Sequence, residues 1–178
     1  MKIALVGKYV KLHDAYLSVA EALSAAGYET GLFIEIAWID SETITSENAA
    51  DLLRGCDGVL IPGGFGGRGI DGKITAARYA RERKLPYLGI CLGMQVAVIE
   101  FARNVCGIRD ADSGEFSDET AHKVIDFMPD QNKTIAKGGT MRLGSYPCRI
   151  RPGTRLRQCY GTELLRERHR HRYEFNNA

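Results

Sequence analysis

The residue best suited to covalent chemistry in this chain is a cysteine held between two glycines, in the segment Gly89-Ile90-Cys91-Leu92-Gly93. A short apolar run precedes Cys91 and a helical pattern follows it, which is typical of a nucleophile elbow with sulfur in place of a serine hydroxyl. Because such a turn is sharp, side chains at the two glycines would collide with the neighbouring strand or helix. The helix N-terminus is expected to favour the thiolate and to lower the pKa of Cys91. The pattern therefore predicts a nucleophile rather than a buried structural cysteine.

A glycine-rich loop, which begins at Pro62 after a second apolar run, is a candidate partner for this cysteine. Glycines let backbone N–H groups approach a substrate closely. We expect the N–H of Gly63 or Gly64, together with that of Leu92, to stabilise an oxyanion formed when Cys91 attacks a carbonyl group. A flexible surface loop is the alternative, and so many glycines directly after a buried strand disfavour it.

The second half of this loop has the spacing of a phosphate-binding P-loop, from Gly67 to Lys73. In a P-loop the next residue is Ser or Thr, whose hydroxyl binds magnesium, and here it is Ile74. Nothing later in the chain resembles a second magnesium-binding carboxylate after an apolar strand. A nucleotide P-loop is therefore disfavoured.

A thiolate nucleophile also needs a base, and the chain has four histidines: His13, His122, His169 and His171. His169 and His171 alternate with arginines, so an extended chain would place both imidazoles on one face. A metal pair completed by Glu174 is an alternative, but the clustered positive charge and the lack of an obvious third ligand oppose it. We therefore predict no metal site, and the sequence places none of these imidazoles beside Cys91.

Strands and helices alternate through the first hundred residues and would position these groups. Apolar runs predict strands over Lys2–Gly7, Thr30–Trp38, Gly58–Ile61 and Tyr87–Ile90. Helical spacing predicts helices from a cap at Asp14 to a stop at Gly27, and over Ser46–Leu53, Gly72–Lys84 and Leu92–Asn104. This order predicts an α/β fold with an open, doubly wound, mostly parallel sheet flanked by helices. Since ligands bind beyond the carboxyl ends of such strands, the Gly63 loop and the Cys91 turn should face one crevice.

The pattern is less regular after Cys106. Polar residues over 109–120 predict a loop, residues 123–128 a strand, residues 138–144 a glycine loop and residues 145–150 an antiparallel strand near a sheet edge. A short helix is predicted over Thr162–Arg168 and an extended segment over Arg172–Phe175.

Composition limits the classes of protein to which the chain can belong. It has 178 residues, 44% hydrophobic and 26% charged, which is typical of one globular domain. A net charge of +2 gives no argument for a nucleic-acid partner, and no apolar run reaches the length of a membrane span. The five cysteines are an odd number without a CxxC pair, which favours a reducing cytoplasm over a disulfide framework.

Several segments together resemble class I, or triad-type, glutamine amidotransferases, and in finer detail the glutaminase domains of CTP synthases. The elbow extended to Gln95 resembles the wider class. The more specific motifs are Gly7-Lys8-Tyr9-Val10, Asp14-Ala15-Tyr16-Leu17-Ser18-Val19, Ile61-Pro62-Gly63-Gly64-Phe65-Gly66, Gly139-Thr140-Met141-Arg142-Leu143-Gly144 and Arg168-His169-Arg170-His171-Arg172-Tyr173-Glu174. Because they run from one end of the chain to the other, the resemblance implies that residues 1–178 form a single glutaminase domain.

The resemblance implies that Cys91 attacks the side-chain amide of L-glutamine, forms a glutamyl thioester and releases ammonia and then glutamate. The positions that supply oxyanion N–H groups are matched by Gly64 and Leu92. The positions that bind glutamine are matched by the same two residues and by Gln95, Glu115 and Arg172. A carboxylate such as that of Glu115 suits the ammonium group of the substrate.

The resemblance also implies partners outside this domain. Phe65 and Arg68 lie in the loop that in this family meets the allosteric activator GTP, and they offer a ring for stacking and a cation for phosphate. No cofactor is expected in the domain itself, since ATP and magnesium belong to the synthetase domain that normally precedes it. There the ammonia would serve the ATP-dependent amination of UTP to CTP in pyrimidine nucleotide biosynthesis. The full-length enzyme is expected to be a homotetramer.

The chain departs from the family pattern at its end. The family's triad is completed by a His-Pro-Glu segment downstream of Arg168–Glu174, and the sequence reaches Ala178 without it. We therefore expect a C-terminally truncated domain with weak or no activity by itself, because the imidazole accepts the thiol proton and protonates the departing ammonia. The alternative is a regulatory module that binds glutamine and GTP without catalysis.

Overall fold

A computed structural model describes residues 1–117, 119–128 and 144–177 of the chain. These residues fall into two compact units. The first comprises residues 1–126 and the chain from Phe175 onward, and the second comprises residues 127–174. The glycine loop predicted over residues 138–144 lies outside the described residues, except for Gly144.

The helices and strands follow one another with short connections. In chain order they are β1 (Lys2–Gly7), a 3-10 helix (His13–Tyr16), α1 (Leu17–Thr30), β2 (Glu35–Asp40), a 3-10 helix (Ser41–Thr43), α2 (Ala49–Leu52), β3 (Gly58–Ile61), α3 (Ile70–Arg83), β4 (Tyr87–Gly89), α4 (Leu92–Asn104), β5 (Asp112–Ser113), β6 (Lys123–Phe127), β7 (Gly144–Arg149), α5 (Arg155–Tyr160), β8 (Leu164–His169) and β9 (Tyr173–Phe175). The predicted bounds of β1, β3 and α4 are confirmed without change.

The main sheet of the first unit has four parallel strands in the order β2-β1-β3-β4. Its register places Leu5 of β1 between Trp38 of β2 and Leu60 of β3. Strand β3 is buried along its whole length, as an apolar run is when helices cover both faces of a sheet. The predicted α/β class, with a mostly parallel sheet flanked by helices, is confirmed. The segments after Gly7, Ile61 and Gly89 therefore leave the sheet at one edge.

Helix α4 begins directly after Cys91 and is fixed in the core. Its residues Leu92, Val96 and Ile99 are buried. Helix α4 packs against α3, and the Arg81 guanidinium of α3 binds the buried carboxylate of Glu100 on α4, with Nη2 and Oε1 2.8 Å apart. This packing determines where the first turn of α4, and hence the cysteine, lies.

Helix α1 differs from the prediction at both ends. Asp14 lies in a 3-10 helix, and α1 begins at Leu17 without a side-chain cap. Gly27, the predicted stop, is buried inside the helix, and α1 ends at Gly31, whose φ is 67°. A side chain at Gly27 would lie 2.6 Å from a carbonyl oxygen of the following loop. That glycine therefore serves close packing, and the left-handed Gly31 terminates the helix.

The second unit contains an antiparallel pair, β7 and β8, which confirms an antiparallel strand over most of residues 145–150. Its predicted place near the edge of the sheet is wrong, because β7 and β8 form a two-stranded sheet of their own. The helix predicted over Thr162–Arg168 is wrong, because this segment is strand β8. A helix lies just before it instead: the Thr154 hydroxyl accepts the N–H of Arg157, and Gly161 ends α5 with a φ of 66°. Pairing of β8 with β7 outweighs the local helical preference of the segment.

The chain after α4 returns to the first unit at its end. The region 109–120, predicted as a loop, contains the two-residue strand β5, which pairs in parallel with β6. The backbone N–H of Asn176 donates to the carbonyl of Val124 at 2.9 Å. Among the described residues, no helix has both the length and the apolar character needed to cross a membrane.

Candidate active site

Cys91 occupies a strained turn between β4 and α4. Its φ is 54° and its ψ is −107°, a conformation that non-glycine residues rarely adopt. The carbonyl of Cys91 accepts the N–H groups of Met94 and Gln95, so the residue already belongs to the first turn of α4. A residue held in such a conformation needs support from its surroundings and is often functional. The strand–turn–helix context predicted for an elbow is confirmed.

The two glycines that flank Cys91 are required by close packing. A Cβ at Gly89 would lie 2.4 Å from the carbonyl carbon of Gly93, and a Cβ at Gly93 would lie 2.0 Å from the carbonyl oxygen of Ile61 in β3. Real Cβ atoms do not approach backbone atoms so closely. The predicted collisions with the neighbouring helix and strand are therefore confirmed, and the bracket lets α4 pack directly on the sheet.

The glycine loop after β3 lies against the cysteine. A Cβ at Gly63 would be 3.5 Å from the Cβ of Cys91 and 4.0 Å from its Sγ. The backbone N–H groups of Leu92 and Gly64 act to lower the pKa of the Cys91 thiol and so favour its thiolate. The structure thus brings together the cysteine and the two N–H donors that the sequence singled out.

Burial nevertheless raises the pKa of the Cys91 thiol above its ordinary value, and the nearby Glu115 carboxylate raises it further. The N–H groups of Leu92 and Gly64 lower it but do not compensate. The prediction of a lowered pKa is therefore wrong, because removing a thiolate from water outweighs hydrogen bonds to the helix terminus.

Glu115 lies beside the glycine loop. Its Oε1 accepts the backbone N–H of Gly66 at 2.7 Å. Gln95 lies on the first turn of α4, where it is buried. Arg172 belongs to the second unit, where its guanidinium lies over the Phe127 ring at 5.4 Å from the centroid. Of the predicted glutamine-binding residues, the first unit therefore contains Gln95 and Glu115 together with the two N–H donors.

The outer part of the glycine loop carries Phe65 and Arg68. The Phe65 ring is 53% exposed. The Arg68 Nη1 lies 2.6 Å from Glu42 Oε1, and the guanidinium lies 5.3 Å from the centroid of the Tyr9 ring. The Lys8 ammonium lies at the same distance from that ring and donates to the Phe65 carbonyl. The loop therefore has an exposed aromatic ring beside a cluster of cations.

Sequence reasoning gave no individual role to Lys8, Tyr9 and Glu42, which surround this loop. The sequence could have pointed to Lys8 and Tyr9, since they directly follow the carboxyl end of β1, and ligands bind beyond the carboxyl ends of strands in such sheets. Glu42 carried no signal, because its contact with Arg68 depends on how the 3-10 helix after β2 packs against α3.

Lys73 lies under the glycine loop rather than facing a ligand. Its side chain is fully buried, and among the described residues its Nζ has no hydrogen-bond partner. A Cβ at Gly64 would be 3.8 Å from this Nζ. Burial, with smaller contributions from Lys8 and Arg68, lowers the pKa of Lys73 to about 8. The lysine that gave the loop its P-loop spacing thus belongs to the packing beneath Gly64.

The histidines of the first unit are engaged away from Cys91. The His13 ring stacks on Trp38 at 4.1 Å between centroids, and His122 Nδ1 lies 2.8 Å from Asp110 Oδ1. In the second unit, the rings of His169 and His171 lie 5.3 Å apart, edge to face. Within residues 1–117, 119–128 and 144–177, no group of three His, Cys, Asp or Glu side chains could hold a metal ion.

Comparisons with known proteins show to which family the chain belongs. A family model described as glutamine amidotransferase class-I matches residues 11–178. A CTP synthase of Rubrobacter xylanophilus is 62% identical over 179 residues, covering 100% of this chain and 32% of that protein. A CTP synthase of Halalkalibacterium halodurans is 60% identical over 177 residues, covering 99% of this chain and 33% of that protein. The chain thus spans about a third of the length of the curated relatives it matches.

A solved structure, that of the Trypanosoma brucei CTPS glutaminase domain with bound acivicin, matches with a TM-score of 0.90 and 42% sequence identity. The match covers 99% of this chain and 68% of that one. Fold and sequence agree over almost the whole length of this chain. The chain therefore belongs to the class-I glutamine amidotransferase family, among its CTP synthase glutaminase domains.

Proposed function

We propose that this chain is the glutamine-hydrolysing domain of a CTP synthase and that Cys91 is its nucleophile. The observation that carries the proposal is the strained turn that holds Cys91 at the N-terminus of α4 and against the glycine loop at Gly63. The identity with CTP synthases along the chain supports it, as does the related domain solved with acivicin.

In this reaction the Cys91 thiolate attacks the carboxamide carbon of L-glutamine. A C–S bond forms, and the carbonyl oxygen gains the negative charge that the N–H groups of Gly64 and Leu92 stabilise. The thiol proton passes through a base to the amide nitrogen, the C–N bond breaks and ammonia leaves a glutamyl thioester. Water then attacks the thioester, the C–S bond breaks, and glutamate and the free thiol are released. The base is the imidazole that the family resemblance implies.

The remaining site residues recognise the substrate in this proposal. The Glu115 carboxylate binds the ammonium group of glutamine, and Gln95 contributes a polar side chain from the first turn of α4. Arg172 is a further glutamine-binding residue in this proposal, because it matches such a position in the family. A carboxylate that binds this ammonium group disfavours substrates that lack one, because its charge would then have no ammonium partner.

In the full-length protein the ammonia aminates UTP to CTP in a synthetase domain that binds ATP and magnesium. GTP binds at the outer part of the glycine loop as an allosteric activator, with Phe65 stacking on the base and Arg68 contacting phosphate. The exposure of the Phe65 ring supports this role, as do Lys8 and Tyr9 beside the loop. Arg68 must exchange its contact with Glu42 for phosphate in order to act in this way. The assembly is a homotetramer.

The test compares two nitrogen sources in the full-length protein. Cys91→Ala is expected to abolish CTP formation from glutamine while leaving CTP formation from ammonium chloride unchanged. Cys106→Ala, which removes an exposed cysteine beyond the end of α4, is the matched control and should affect neither reaction. Retention of glutamine-dependent CTP formation by Cys91→Ala would contradict the proposal.

A second candidate is a module that binds glutamine and GTP without hydrolysis. The observations that favour it are the raised pKa of Cys91 and the engagement of His13 and His122 with other partners. It predicts that calorimetry detects glutamine binding while a coupled assay detects no ammonia. Ammonia release above that of the Cys91→Ala variant eliminates this candidate.

A further inference from the structure

The Glu115 carboxylate has a second contact, with the loop rather than with a substrate. Its Oε1 accepts the N–H of Gly66 at 2.7 Å across 49 residues of sequence. Gly66 has a φ of 75°, and a Cβ at Gly66 or Gly67 would meet no atom within 4 Å. A side chain at either glycine would thus meet open space, so packing contributes little here and individual polar contacts have a large share in fixing the position of this part of the loop.

The carboxylate is presented by a well-anchored turn. The backbone N–H of Glu115 donates to the Oγ of Ser113 at 3.1 Å, and Ser113 is fully buried. The N–H of Gly114 donates to the carbonyl of Ile125 in β6 at 2.8 Å. The turn is thus attached to β6 through Ser113 and Gly114, and it can act as a fixed support for the glycine loop.

The supported loop lies against the nucleophile, since a Cβ at Gly63 would be 3.5 Å from the Cβ of Cys91 and 4.0 Å from its Sγ. Gly64 lies two residues before Gly66, and its N–H acts to lower the pKa of the Cys91 thiol. The loop has another anchor in Lys8, whose ammonium donates to the Phe65 carbonyl. The Glu115 charge disfavours the Cys91 thiolate, whereas the Gly64 N–H, on the loop that Glu115 contacts, favours it.

We propose that Glu115 is a positioning residue of the glycine loop, which through Gly66 holds the Gly64 N–H against Cys91. This inference rests on the proposed role of Cys91 as nucleophile and adds a task to the expected contact of Glu115 with the substrate. The same carboxylate then connects recognition of the substrate's ammonium group with placement of an oxyanion donor.

The test uses iodoacetamide, which has neither an ammonium group nor a carboxylate and therefore does not depend on glutamine recognition. Alkylation of Cys91 is followed by peptide mass spectrometry as a function of pH in three proteins. Glu115→Gln removes the charge but keeps an acceptor for Gly66, so we expect faster alkylation at neutral pH than in the unaltered protein. Glu115→Ala removes the charge and the acceptor for the Gly66 N–H. We therefore expect alkylation about three- to tenfold slower than in Glu115→Gln, which corresponds to the loss of one hydrogen bond.

Ser113→Ala provides an independent variant that keeps the Glu115 charge and loosens its support. It is expected to slow alkylation of Cys91 below the rate of the unaltered protein. Because loss of this buried hydroxyl also lowers stability, the rates are compared well below the melting temperatures of both proteins, where circular dichroism shows that both are folded. Identical pH profiles for Glu115→Gln and Glu115→Ala would overturn the positioning role. Failure of the proposed function is seen separately, as absence of glutamine-dependent ammonia release by the full-length protein.

Discussion

Lys73→Met is expected to stabilise the protein at neutral pH. The lysine side chain is fully buried under Gly64, and its Nζ has no hydrogen-bond partner among the described residues. Burial is the main cause that lowers its pKa from 10.5 to about 8. At about 1.4 kcal/mol per pKa unit, keeping the ammonium protonated in the folded state costs about 3 kcal/mol below pH 8. Methionine has a similar shape and avoids this cost.

The sign of the pH dependence follows from the two pKa values. Between about pH 8 and pH 10.5 the unfolded lysine holds its proton and the folded one does not, so raising the pH stabilises the native state. The free energy of unfolding of the unaltered protein should therefore rise by most of the 3 kcal/mol over this pH range, and that of Lys73→Met should not. Other titrating groups are common to both proteins and cancel when the two curves are subtracted.

The assay is urea denaturation of both proteins at about pH 7 and about pH 10, with the free energy of unfolding taken from linear extrapolation. Lys11→Met, which removes an exposed lysine, is the control and should not change the pH dependence. An advantage of Lys73→Met that is the same at both pH values would refute the reasoning, since it would come from packing rather than from a buried charge.

Two further changes test the supports of the site. Gly93→Ala, whose Cβ would lie 2.0 Å from the Ile61 carbonyl oxygen, should lower the free energy of unfolding by about 3 kcal/mol and the melting temperature by about 6–12 °C. Gly67→Ala, where an added Cβ meets open space, is the control and should leave both quantities unchanged. Equal melting temperatures for the two variants would contradict the packing argument. Tyr16→Phe removes a buried hydroxyl that accepts two loop N–H groups at 3.1 and 3.3 Å and should cost about 1–3 kcal/mol in thermal denaturation. Tyr28→Phe, on an exposed side chain, is its control, and an equal effect of both would contradict the account.

The sequence was most informative where a local pattern is imposed by backbone geometry. Strand β3 and helix α4 were predicted with their observed bounds, because apolar runs in a parallel sheet and helical periodicity leave few alternatives. The bracket around Cys91 was interpreted correctly because a glycine between closely packed backbones has no substitute.

Predictions failed where tertiary contacts decide. Gly27 has the local signature of a helix stop, yet it lies inside α1, where its missing side chain allows the following loop to pack closely. The helix continues as far as Gly31. The segment Leu164–His169 forms a strand because β7 is available as a partner. The pKa of Cys91 was predicted in the wrong direction because the extent of burial is not visible in sequence. The contact of Glu115 with Gly66 joins residues 49 positions apart and carries no local signal.

The most direct test of the central role of Cys91 is covalent labelling by diazo-oxo-norleucine, a glutamine analogue with an electrophilic carbon. Intact-mass and peptide mass spectrometry are expected to show one adduct at Cys91, slowed by added glutamine and absent from Cys91→Ala. The exposed Cys106 and Cys159 serve as internal references for unassisted reactivity. Labelling of Cys91 no faster than labelling of these two cysteines, or unaffected by glutamine, would contradict the assignment of this turn as a glutaminase nucleophile.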